Sequence, residues 1–123
     1  LQGQCLGRQE PWRNEGIEVM KTLHHKLVRD RIPEILEEAG KTHQTIIIDG
    51  EDLRGAALKK LQEEVMEFVE DPCAEEAADI MEILHFILER EGITDSQVMT
   101  AATVNRIKRG GFNMGYFLEW VEE

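Results

Sequence analysis

The stretch EDLRGAALKKLQEEVMEFVEDPCAEEAADIMEILHFILER, residues 51–90, decides the fold. In its first half Leu58, Leu61, Val65 and Phe68 recur at helical spacing, the pattern of an amphipathic helix over 51–70. In its second half Ala77, Met81, Leu84 and Leu88 share one face of a helix over 73–91. Asp71-Pro72 separates the two, and the pair suits a helix start, with Asp71 as N-cap and Pro72 in the first turn. A break this tight predicts an antiparallel helical hairpin.

Working outward, KLVRDRIPEILEEA (26–39) reads as an extended entry and a short helix, with Asp30 as cap and Gly40 as terminator. QTIII (44–48) is β-branched and reads as a short strand or extended connector, and Asp49-Gly50 as a turn. Thr94 or Asp95 opens a third helix that runs to about Lys108, before Gly110-Gly111 breaks the chain. Helices dominate, so the expected class is all-α, a helical bundle with at most one minor extended piece. Residues 1–20 show no period and read as an N-terminal arm or non-native extension. The expected domain covers 21–123.

Twenty-five Asp and Glu against fourteen Lys and Arg give the 123-residue chain a net charge of −11. That excess argues against a nucleic-acid polymer as partner, which calls for a basic stripe, and against an anionic membrane surface. No apolar run approaches the roughly 20 residues of a membrane span, and no basic-then-apolar leader is evident. Cys5 and Cys73 are too few for a disulfide framework and lack metal spacing. The expectation is a reducing, cytoplasmic setting. Cys73 follows Pro72 near a helix start, where its thiol pKa could fall, although a structural role fits it as well. His24, His25, His43 and His85 show no HxxH or HExxH spacing, so zinc is not expected.

The acids carry the functional signal. On a wheel of about 100° per residue, Glu64 borders the apolar arc of the first helix and Glu67 lies one step further round. Glu76 falls inside the apolar arc of the second helix, between Ile87 and Ile83, and Asp79 lies just past Ile83. Glu64/Glu67 and Glu76/Asp79 are thus i, i+3 pairs at apolar margins, and the hairpin would face them together. Clustered carboxylates repel unless a cation neutralises them, and an all-oxygen set suits Mg²⁺ or Mn²⁺. A solvated acidic surface is the other reading of the same pattern. The cations fall in two groups, Lys26, Arg29 and Arg31, and Arg106, Lys108 and Arg109 with Asn105 beside them. These are either phosphate contacts beside a metal or ordinary charges, the second group complementing a helix C-terminus.

Residues 24–117 resemble the MazG-like nucleotide pyrophosphohydrolases of the all-α NTP pyrophosphatase superfamily. The resemblance rests on Lys26–Ile35 (KLVRDRIPEI), on EExxE at Glu63, Glu64 and Glu67, on ExxD at Glu76 and Asp79, and on KRGGF at Lys108–Phe112. It implies Mg²⁺-dependent hydrolysis of a nucleoside triphosphate to the monophosphate and pyrophosphate, in at least a homodimer. By the same resemblance Glu64, Glu67, Glu76 and Asp79 ligate the metal, with Mn²⁺ as the alternative ion. Glu63 assists the attacking water or lies outside the ligand set, and Glu63 or Glu64 is the candidate base. Lys26, Arg29, Asn105, Lys108 and Arg109 would contact the nucleotide. Two other functions fit: hydrolysis of phosphoribosyl-ATP, or a non-catalytic acidic helical interaction protein. The eight residues between the acid pairs form a shorter link than in many members of that family.

Overall fold

A computed structural model describes residues 21–123. Among them are four α-helices and no strand: α1 (Ile32–Glu38), α2 (Gly50–Glu70), α3 (Ala74–Arg90) and α4 (Asp95–Arg109). The all-α expectation holds at this level. The expectation of an N-terminal arm falls on residues outside those described, as does Cys5. No described helix is long and apolar enough to cross a membrane.

Each boundary has a local cause. α1 is a two-turn helix with Pro33 in its first turn. Asp30 does not cap it: Arg31 holds the N-cap position in a helical conformation (φ −91°, ψ 0°), and its guanidinium pairs with Glu34 at 2.7 Å. A side-chain cap needs extended backbone at that position. Gly40 ends α1 at φ +73°, where its N–H donates to the Glu37 carbonyl and that of Lys41 to Leu36, a Schellman closure that favours glycine.

Residues 41–49 form neither helix nor strand. The QTIII run stays an irregular connector, with Ile47 99% exposed. β-branched residues build a strand only where a neighbour pairs with it, and the described residues contain no other strand.

The link between α2 and α3 differs from the expectation. Asp71 is the C-cap of α2, its N–H donating to the Glu67 carbonyl at 3.0 Å. The helical α3 begins at Ala74, and the Cys73 carbonyl accepts from Ala77 N–H at 3.0 Å. Pro72 explains the shift, because the residue before a proline is driven out of helical conformation. Asp71 sits accordingly at φ −145°, ψ 77°. Cys73 is disulfide-bonded, which leaves it no free thiol at the helix start.

The chain divides into two compact units, residues 1–87 and 88–123. Within the described part of the first unit Ala57 is the buried hydrophobic residue, while Leu61, Phe68, Ile80, Ile83 and Ile87 are half-buried. Leu58, Val65, Met81 and Leu84 lie on the expected stripes yet remain exposed. The second unit carries α4, opened by a capping box in which the Thr94 hydroxyl accepts from Gln97 N–H at 3.1 Å and the Gln97 side chain accepts from Thr94 N–H at 2.8 Å. α4 closes at Gly110 with φ +82°.

Candidate metal centre

Two glutamates are among the least exposed of the described residues: Glu64 at 6% and Glu76 at 5% relative exposure. Glu64 faces inward from the middle of α2 and Glu76 from the first turn of α3. Carboxylate oxygens of Glu64, Glu76 and Asp79 all lie within 4.8 Å of one another. Such proximity across the three-residue link requires α2 and α3 to fold back as a hairpin. A second triad, Glu63, Glu64 and Glu67, meets the same 4.8 Å limit along α2. Glu64 belongs to both, so the five acids form one cluster centred on it.

Cations stand around this cluster. Lys60 Nζ donates to Glu63 Oε1 at 3.0 Å and pairs with Glu64 Oε2 at 3.1 Å. Lys26 Nζ reaches Glu63 Oε1 at 3.5 Å, and Arg29 Nη2 donates to Asp79 Oδ1 at 2.7 Å. Burial by itself works to lower the Lys60 pKa, but the hydrogen bonds and charges of Glu63 and Glu64 outweigh it and leave it raised. Burial likewise pushes Glu63 up, and Lys60 and Lys26 outweigh it and bring it below the usual range. Glu67 is raised, first by burial and then by the charges of Glu64, Glu76 and Glu63.

The donor set fits a hard divalent cation. Every candidate ligand is a carboxylate oxygen, the donor type Mg²⁺ and Mn²⁺ prefer. Glu64 Oε1 is buried and has no hydrogen-bond partner, a costly state for a carboxylate oxygen unless a cation or donor completes it. Asp71 Oδ2, at the helix link, is buried in the same way but belongs to neither triad.

The structure therefore brings together, within the first unit, Glu63, Glu64, Glu67, Glu76, Asp79, Lys26 and Arg29. Lys26 and Arg29, expected at phosphate, have their charges on the acids. Asn105, Lys108 and Arg109 lie on the exposed surface of α4 in the second unit. Lys60 is the residue that sequence reasoning passed over. Its i, i+3 and i, i+4 spacing to Glu63 and Glu64 was a usable signal. Comparison with known proteins returns no match to a family model, a curated protein or a solved structure.

Proposed function

We propose that this chain is a Mg²⁺-dependent hydrolase of a nucleoside triphosphate or related nucleotide, releasing the monophosphate and pyrophosphate from a MazG-like helical bundle completed by dimerisation. The observation that carries this reading is the convergence of Glu64, Glu76 and Asp79 from two helices on one buried point, with Glu64 Oε1 unpartnered. In it Glu64, Glu67, Glu76 and Asp79 hold Mg²⁺, or Mn²⁺ in its place. The bound ion supplies Lewis acidity toward phosphate oxygens and a lowered pKa for water. Glu63, kept ionised by Lys60 and Lys26, orients the attacking water, and Glu63 or Glu64 takes its proton. Lys26 and Arg29 neutralise the polyphosphate, sharing or leaving their carboxylate partners to do so. The same reading places the activity in the cytoplasm.

A second reading takes the ion pairs at face value. Lys26, Arg29 and Lys60 neutralise the acids, and the protein is a non-catalytic helical interaction module. One experiment separates the two: a screen of NTPs, dNTPs and phosphoribosyl-ATP for pyrophosphate release with Mg²⁺, using wild type, Glu76→Gln and Glu75→Gln. Glu75 is exposed, one position before Glu76. The enzyme reading expects activity that falls at least about a hundredfold in Glu76→Gln, the loss of a metal ligand, and holds in Glu75→Gln. No turnover on any substrate, or equal turnover in Glu76→Gln, refutes it.

A further inference from the structure

Lys60 differs from the other cations at the acid cluster. It sits on α2 itself, one turn before Glu63 and Glu64, so the contact forms as soon as that helix does. Its side chain is 17% exposed, against 57% for Arg29, and its ammonium touches two carboxylates, at 3.0 and 3.1 Å. One of those two is Glu64, the residue common to both triads. We propose that Lys60 is the built-in counter-cation of the site: it holds Glu63 and Glu64 together in the metal-free protein, leaves Glu64 when a divalent ion arrives, and thereby sets the site's affinity for that ion. This rests on the metal-site reading above and adds to it a competition between two cations for one oxygen set.

The physical basis is charge. A divalent ion coordinated by Glu64 would stand beside an ammonium now 3.1 Å from the same carboxylate. Two cations held by one carboxylate repel each other, the more so where burial lowers the effective dielectric, so one of them must yield. A lysine can, because its charge rides on a flexible four-carbon stem. Glu63 offers it a second anchor, already shared with Lys26 at 3.5 Å.

The test is Mn²⁺ affinity, measured by titration calorimetry and by electron paramagnetic resonance at fixed pH and ionic strength. The proteins are wild type, Lys60→Met, Glu64→Gln and Lys59→Met. Lys59 is the exposed neighbour, so its variant matches the change in net charge. The proposal expects Lys60→Met to bind Mn²⁺ at least tenfold more tightly, about 1.4 kcal/mol, and Lys59→Met to stay within about twofold, since exposed charges are largely screened. Equal or weaker binding by Lys60→Met overturns it. Nitrogen-15 spectra of the wild-type lysine side chains give a second readout, needed if Lys60→Met fails to fold. Saturating Mg²⁺ should move the Lys60 ammonium resonance and speed its proton exchange, and an unchanged resonance overturns the proposal. Wild type that binds no Mn²⁺ removes the metal site as well. Wild type that binds it, loses it on Glu64→Gln and ignores Lys60→Met removes the counter-cation alone.

Discussion

Replacing Glu64 by glutamine removes one negative charge from the residue shared by both triads, at nearly constant volume. A unit charge pair about 4 Å apart at an effective dielectric near 20 is worth about 4 kcal/mol, so a divalent ion loses up to about 8. Two terms offset that loss. The amide oxygen remains a neutral ligand, and the Lys60–Glu64 pair at 3.1 Å no longer has to be broken, a charge-assisted contact worth about 1.5–3 kcal/mol. A net weakening of at least about 2 kcal/mol remains, roughly thirtyfold in affinity. Metal-free stability should change little. Lys60 keeps Glu63 at 3.0 Å, and the repulsion among Glu63, Glu64, Glu67, Glu76 and Asp79 is relieved. We expect a Tm within about 5 °C of wild type, roughly 1 kcal/mol for a domain of this size. The assay is thermal melting with and without Mg²⁺ or Mn²⁺, beside direct titration. A Glu64→Gln protein that binds Mn²⁺ like wild type refutes the metal centre. A metal-free Tm lower by about 10 °C or more shows instead that the Lys60–Glu64 pair is structural.

Glu67 has a raised pKa, so the folded metal-free protein holds its proton more tightly than the unfolded chain does. Its ionisation therefore costs stability above the ordinary carboxylate range, and that cost disappears as the pH falls below it. Glu67→Gln should stabilise the metal-free protein at pH 7 and give no gain at pH 4, in urea unfolding followed at both. The exposed Val65, Met66, Val69 and Met81 predict at least a homodimer, since apolar residues spread over two adjoining helices favour association. Light scattering that finds only a 14.1 kDa species at micromolar concentration contradicts it. Thr94→Ala removes the hydroxyl that accepts Gln97 N–H at 3.1 Å and should cost about 1 kcal/mol of stability, with Mn²⁺ affinity unchanged. A loss of Mn²⁺ binding in that variant argues against a site confined to the carboxylates of the first unit.

Local sequence carried most of the secondary structure. Leu58, Leu61, Val65 and Phe68 announce α2, Thr94 or Asp95 announces the start of α4, and Gly40 and Gly110 mark helix ends, because spacing, capping and positive φ are properties of a few neighbouring residues. The inward direction of Glu76 was legible too, since its place between Ile83 and Ile87 on the wheel is set by helical pitch alone. The Asp71-Pro72 link was placed correctly but its cap was not: proline's restriction on the residue before it ended α2 at Asp71 and delayed α3 to Ala74. The acid pairs were readable as pairs. Tertiary structure decided that Glu64 would be the residue common to two triads, that Glu67 would stay exposed while Asp79 turned half-buried, and that Arg29 and Lys26 would lie on carboxylates. Those outcomes depend on the rotation and crossing of α2 against α3, which a single-helix wheel does not contain. Only side chains packed from both helices determine which oxygens come within 4.8 Å of one another.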